Sequence, residues 1–233
     1  MAAVHLCLGR VSRLAESAQQ GGLGWLSPAE QRRLNRIAAS ARRSQFIAGR
    51  WFARQLLAAV HGDRPEQWRL TAPDEGPPRV EHPAIPAHIS LSHSGDHLAC
   101  AVAPSPVGLD LEAPRRTRNF LALADVVCCA GEKARLLAAQ PAGREALFYE
   151  CWTLKEAWLK SRGEPLSPGR LAQIRTDRAL SPLTAEGRTW RGADFILALV
   201  ANPLLPLGWI GDAPGEPLIW RVGDTEPGAS NGL

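Results

Sequence analysis

Asp110 and Glu112 stand one residue apart in the run Val107-Gly108-Leu109-Asp110-Leu111-Glu112. The alternation of that run is a strand's, with Val107, Leu109 and Leu111 on one side and both carboxylates on the other. At about 3.3 Å per residue the two acids sit roughly 6.5–7 Å apart along the backbone. No basic residue interrupts them, so they repel each other unless a cation comes between. A hard, oxygen-seeking ion such as Mg²⁺ would meet that need. The plain alternative is a solvated outer strand face.

Other groups fit for chemistry lie on either side. About fifteen residues upstream, Ser92, His93 and Ser94 crowd the end of a strand that precedes a tight Ser94-Gly95-Asp96 turn. There, two hydroxyls and an imidazole can donate to a ligand, although a lone histidine at a turn is commonly a surface residue. Downstream, Glu132 falls in the first turn of a helix opening at Ala130, where an acid complements the helix dipole. The helix from about Arg144 to Lys160 carries the densest information. At about 100° per residue, Leu147, Phe148, Cys151, Trp152, Leu154, Trp158 and Leu159 form one apolar arc of about 160°. Lys155 falls inside that arc and Glu156 at its margin. A charge among core-facing residues is costly unless paired or used. Snorkelling and a Glu156–Lys160 pair at i,i+4 are the ordinary explanations, good for Glu156 and poor for Lys155.

A basic helix completes the set. Gln31 to Gly62 contains no acid and seven arginines, at 32, 33, 36, 42, 43, 50 and 54. Over a helix from about Ala41 to Val60, Arg43, Arg50 and Arg54 fall within roughly 40° of one another. Their guanidinium forks suit phosphate oxygens. A solvated basic face, or pairing with acids of another element, would also account for them.

The elements that must carry these groups follow from the rest of the chain. At 233 residues and 45% hydrophobic, it can bury a core as one large domain or two small ones. Residues 2–8 read as a first strand. Ser27-Pro28 reads as a capped helix start, residues 71–87 as a Pro/Gly-rich loop, and Phe195–Val200 as a buried strand. Ala113-Pro114-Arg115-Arg116-Thr117-Arg118 is a polar break. It divides the chain into an N-terminal half, 1–112, and a C-terminal half, 113–222, with a flexible tail at 223–233. The net charge of +4 and pI of about 9.0 fit an anionic ligand or an acidic protein partner. Five cysteines lack any metal-binding spacing. No leader is seen and no apolar run approaches the ~20 residues of a membrane span. A soluble cytoplasmic protein is expected.

Taken in order, Arg43 to Arg54 (RSQFIAGRWFAR), Leu91 to Ser94 (LSHS), Gly108 to Glu112 (GxDxE) and Trp152 to Lys160 (WxxKExxxK) resemble the 4'-phosphopantetheinyl transferases of the large, surfactin-activating type. The similarity spans roughly residues 40 to 165. It implies an α+β fold of two similar halves, each a small antiparallel sheet packed with helices, with the active site at their junction. It also implies transfer of the phosphopantetheine arm of coenzyme A to a serine of an apo acyl or peptidyl carrier protein, with release of adenosine 3',5'-bisphosphate. Such carriers serve fatty-acid, polyketide or nonribosomal-peptide synthesis. By position, Asp110, Glu112 and Glu156 resemble the ligands of Mg²⁺ (or Mn²⁺). Ser92 and His93 resemble phosphate contacts, Lys160 a pyrophosphate contact, and Arg43 and Arg50 parts of a coenzyme-facing helix, with Lys155 adding positive charge. Glu132 and Glu156 both stand as candidate bases.

Three departures from the family pattern accompany the match. Ser90 replaces a common Asn. Gly76-Pro77-Pro78 replaces Gly-Lys-Pro, leaving Arg79 to supply the lost cation. Glu164-Pro165-Leu166 replaces Lys-Gly-Leu. Two other readings are a coenzyme-binding regulator on the same scaffold and a nucleic-acid-binding module on the arginine helix. The intact acid triad argues against the first, and the lack of interleaved aromatic platforms against the second. A monomer without nucleic-acid or membrane partners is expected.

Overall fold

Alternation along two strands sets the architecture. A computed structural model describes residues 3–73, 76–82, 85–113, 119–201 and 205–225. In β3 (His97–Ala103) every residue is buried. Leu98, Cys100 and Val102 face one core cluster, whereas Ala99, Ala101 and Ala103 face another. In β7 (Ile196–Ala201), Ile196, Ala198 and Val200 face a third cluster, and Leu197, Leu199 and Ala201 share the second with the β3 alanines. Each strand therefore carries apolar groups on both faces, which requires a covered sheet on both sides. Small alanines on the shared face let the two sheets pack closely.

The outer faces are closed by helices. The first sheet has the order β2 (His88–Ser94), β3, β1 (Val4–Arg10), β8 (Leu207–Trp209). Its outer face packs on α1 (Val11–Gln19) and on the 22-residue α3 (Ser40–His61) through Phe52, Leu56 and Leu57. The second sheet has the order β4 (Val107–Glu112), β7, β6 (Gly187–Arg191), β9 (Leu218–Asp224), β5 (Ile174–Arg178). Across it lies α6 (Pro141–Arg162), also 22 residues, burying Phe148, Leu154 and Trp158 against Ala198, Val200 and Trp220. Shorter helices complete the chain: α2 (Pro28–Arg36), α4 (Phe120–Val127), α5 (Ala130–Ala138) and α7 (Pro168–Ala172). The layers run helix, sheet, sheet, helix. The α+β fold with two sheet-and-helix halves is as the sequence led one to expect.

Local signals placed most elements. Ser27 caps α2 in a full capping box with Glu30, with Pro28 at its first position. Asn119 caps α4. Gly95, at φ 60, makes the turn between β2 and β3.

The structure departs from the expected halves in four ways. β4, assigned by sequence to the first half, pairs with β7 in the second sheet. β8, from the second half, pairs in parallel with β1, so the first sheet is not wholly antiparallel. β9 runs to Asp224, past the expected start of the tail. α1, unforeseen, follows β1 directly. The polar break at 114–118 and the tail from 226 lie outside the described residues. Among the described residues, no helix is long and apolar enough to cross a membrane.

Candidate active site

β4 forms the floor of the site, and one glycine explains how. A Cβ on Gly108 would fall 1.7 Å from the carbonyl oxygen of Ala157 and 2.6 Å from the amide nitrogen of Ser161. Only a residue without a side chain lets α6 lie this close to β4, and Ala157 is itself small and fully buried. The contact brings the C-terminal turns of α6 over the carboxylates. Lys160 Nζ then reaches Asp110 Oδ1 at 2.6 Å. The expected Glu156–Lys160 pairing along the helix gives way to this contact between elements.

Asp110 is nearly inaccessible to solvent, at 3% exposure. Its Oδ1 also accepts from Ser92 Oγ at 2.9 Å. Its Oδ2 is buried and has no hydrogen-bond partner among the described residues. Glu112 Oε2 accepts from Ser94 Oγ at 3.1 Å. Glu156, half-buried, accepts from Trp152 Nε1 at 2.7 Å. Burial pushes the Glu156 carboxyl up to about 7. The nearby charges of Asp110 and Glu112 add to that rise, against the pull of Lys160 and the Trp152 hydrogen bond. The three acids singled out from the sequence thus share one electrostatic neighbourhood. His93 lies at the solvent-exposed rim. Partial desolvation, with Lys160 and Arg42 close by, holds its imidazole below the usual histidine range.

The donor set bears on whether a divalent ion fits. Among the described residues, no three acidic, imidazole or thiol groups form a ready-made cage. Mg²⁺ does not need one, since it keeps several waters and takes one or two carboxylates plus substrate phosphates. A buried carboxylate oxygen with no partner, beside two further acids, suits such a hard cation. The residues present fit the ion.

Several other candidates are used elsewhere. Lys155 is fully buried, pairs with Glu132, and donates to the Val127 carbonyl at 2.7 Å. Glu132 is equally buried. It accepts from the Thr176 amide at 3.0 Å, the Thr176 hydroxyl at 2.7 Å and the Cys129 amide at 3.0 Å. This closed network ties α5, α6 and β5 together and engages both the expected base Glu132 and the expected coenzyme contact Lys155. Two arginines of the stripe meet an anion inside the protein. Arg54 forks onto Glu30 at 3.0 and 2.7 Å, and Arg50, 3.8 Å from Glu30, donates to the Thr71 carbonyl. Burial lowers the Arg50 pKa to about 10. Arg43 donates to the Leu34 and Ile37 carbonyls at the end of α2. Of the two arginines expected to face a phosphate, Arg50 thus has an internal carboxylate within 3.8 Å, whereas Arg43 engages one guanidinium nitrogen on carbonyls only. Arg79 is exposed, and its backbone pairs with Thr71 in the small hairpin closed by Leu70 and Val80.

Three residues gain contacts that the sequence did not assign them, Gly108, Trp152 and Ser90, while Ser94, singled out as a donor to a ligand, donates to Glu112. Ser90, noted only as a departure, accepts from the Leu109 amide at 2.9 Å, and Ser92 from the Leu111 amide at 3.1 Å. The serines alternate at 90, 92 and 94, a period-two signal that was visible in advance. What it faced was not visible.

A sequence profile described as ACPS, the 4'-phosphopantetheinyl transferase superfamily, matches residues 106–200, which include Asp110, Glu112, Glu156 and Lys160. The chain is 32% identical over 160 residues to the 4'-phosphopantetheinyl transferase AcpT of Escherichia coli, covering 68% of this chain and 73% of that protein. It is 31% identical over 170 residues to HetI of a Nostoc species, covering 72% and 70%. To psf-1 of Bacillus pumilus it is 36% identical over 136 residues, covering 58% and 55%. The chain belongs to the 4'-phosphopantetheinyl transferase superfamily. Its length and these relatives place it with the larger type, and it is an enzyme of that class.

Proposed function

We propose that the enzyme moves the 4'-phosphopantetheine arm of coenzyme A to a serine of an apo acyl or peptidyl carrier protein, in a Mg²⁺-dependent reaction that releases adenosine 3',5'-bisphosphate. The observation that carries this reading is the unpartnered buried oxygen of Asp110, set between Lys160 and the other two acids. Asp110 and Glu112 would hold the ion, with Glu156 beside them. When bound, the ion neutralises charge on the pyrophosphate oxygens. Mn²⁺ would serve the same donors.

The rest is done by the chain's own groups. Lys160 supplies a cation to the pyrophosphate. His93, its pKa lowered, is neutral at pH 7 and offers a ring N–H at the rim rather than a charge. The carrier's serine hydroxyl is weak at its own pKa and needs an acceptor for its proton. Glu156, half-buried beside Asp110 and Glu112, is open to that role, whereas Glu132 is sealed in its pair with Lys155. In the step itself, the serine oxygen bonds to the phosphorus that bears the pantetheine arm. The bond from that phosphorus to the bridging oxygen breaks. The electron pair leaves with adenosine 3',5'-bisphosphate, and the serine proton passes to Glu156 and then to water.

Carrier proteins are acidic where they dock, which suits the net charge of +4. The reading places the enzyme in the cytoplasm. It takes the protein as a monomer, because one chain supplies both halves of the site. The test is incubation with coenzyme A, Mg²⁺ and a panel of apo carriers, followed by intact mass. Gain of one phosphopantetheine group, lost on chelation, is expected. No gain on any carrier, with coenzyme A still bound, would reduce the protein to a binder.

A further inference from the structure

Strands β2 and β4 are edges of different sheets and share no main-chain ladder, yet they lie side by side. Serine hydroxyls of β2 stand in for the missing ladder. Ser90 and Ser92 each accept an amide of β4, from Leu109 and Leu111. Ser90 stops there. Ser92 goes further, and its hydrogen-bonding capacity can be fully accounted for.

A hydroxyl has one proton to donate and two lone pairs to offer. Ser92 donates its proton to Asp110 Oδ1 at 2.9 Å. Its lone pairs take the Leu111 amide at 3.1 Å and the Lys160 ammonium at 3.4 Å. At 8% exposure it has no capacity left for a phosphate. Two bonds fix the Asp110 carboxylate, because Oδ1 is held by both Ser92 and Lys160 while Oδ2 has no partner among the described residues. Ser94 makes the simpler version of this contact, one donation to Glu112 Oε2 at 3.1 Å.

We propose that Ser92 is a positioning residue for the ion-holding carboxylate rather than a contact of the coenzyme. It turns Asp110 so that Oδ2 is the oxygen presented to the cation, and Ser94 does the same, more weakly, for Glu112. The serines of β2 thereby splice two sheets and orient the ligands in the same set of bonds. Groups that orient metal ligands from behind are typically worth about 10–100-fold in metal affinity. This inference rests on the Mg²⁺-dependent reading above.

The experiment titrates Mn²⁺ into the full chain by electron paramagnetic resonance, with and without coenzyme A and without carrier, so that no turnover occurs. Alongside it, the KM for coenzyme A and the Mg²⁺ activation constant are measured. Ser92→Ala is expected to weaken Mn²⁺ binding and raise the Mg²⁺ activation constant by about 10–100-fold, with the KM for coenzyme A within about two-fold of wild type. Ser94→Ala should weaken the metal a few-fold. Ser90→Ala should lower Tm and leave metal affinity at the wild-type value. Ser92→Thr keeps the hydroxyl and should restore metal affinity, which also covers the case in which Ser92→Ala fails to fold. The inference is overturned if Ser92→Ala raises the KM for coenzyme A while metal affinity holds, or if Ser90→Ala weakens the metal as much as Ser92→Ala does. A wild-type protein that neither binds Mn²⁺ nor needs a divalent ion would overturn the metal-dependent reading as well. Wild-type binding that Ser92→Ala retains would overturn only the positioning role.

Discussion

Two buried clusters of charge differ in one respect. In the first half, Glu30 meets Arg54 and Arg50, and both of its oxygens are engaged. At the junction of the sheets, Asp110 meets Lys160 and Ser92 through one oxygen and leaves the other without a partner among the described residues. Both carboxylates are removed from water, at 0% and 3% exposure. Burial alone therefore does not distinguish architecture from function. What separates them is whether both carboxylate oxygens are engaged, since Arg54 Nε in the first cluster is also buried without a partner among the described residues. By the same measure the Glu132–Lys155 pair belongs with Glu30, because Thr176, Cys129 and Val127 complete it.

Breaking either cluster should give opposite signatures. Asp110→Ala should cut transfer by about 10³-fold or more, since it removes a ligand and the charge that gathers the phosphates. Its Tm should stay near or above wild type, because an incompletely paired buried charge is removed. A kinetic assay beside calorimetry would check this, and a large fall in Tm with activity retained would refute the contrast.

Arg54→Met should do the reverse, costing about 3–5 kcal/mol of stability by leaving Glu30 buried with only the more distant Arg50 as its cation. Lys155→Met should behave likewise. Adding Glu132→Gln to it should recover most of the loss, which denaturant titration would show.

Gly108→Ala sharpens the comparison from the backbone side. The new Cβ meets the carbonyl of Ala157, which cannot yield without lifting α6. A loss of about 1–3 kcal/mol is expected, together with weakened transfer as Lys160 is carried away from Asp110. An effect on stability alone would show that α6 can shift without disturbing the site.

The smallest effect concerns pH. Glu156, at about 7, binds its proton more tightly when folded than when unfolded. Its contribution to stability is fully present below its unfolded pKa and is lost as pH rises through about 7. Metal-free protein should therefore lose Tm across that window, Glu156→Gln should flatten the trend, and added Mg²⁺ should oppose it increasingly as pH rises. Parallel Tm–pH curves for wild type and Glu156→Gln would contradict this.

How much of this was legible follows from what each signal can carry. The strand bearing Asp110 and the long helix bearing Lys155, Glu156 and Lys160 were read correctly because period-two alternation and an apolar arc are local patterns. Lys155 stood out as a charge inside that arc, and so it proved, but a pattern cannot name the partner. Glu132 was noticed for its position in a first turn, with nothing to say that its carboxylate turns inward to Lys155. The arginine stripe was legible as geometry, and pairing with an acid of another element stood among its readings, but the acid could not be named because Glu30 lies 24 residues before Arg54 and on another helix. Ser90 looked like a lost amide, since its role depends on β4 lying alongside, and adjacency of two sheets is written in no single strand. The three residues of β8 are too few to show any alternation.

The exchange of edge strands has a consequence for dissection. A chain cut in the turn between β3 and β4 gives two fragments, and the first keeps β1, β2 and β3 but lacks β8, which stays with the second. The first fragment would expose the open side of β1, while the second would carry β8 with nothing to lie against. Neither piece is a finished domain, yet each holds what the other lacks. Co-expressed, the two should therefore reassemble by β8 docking beside β1, which makes this scaffold a candidate for split-protein complementation.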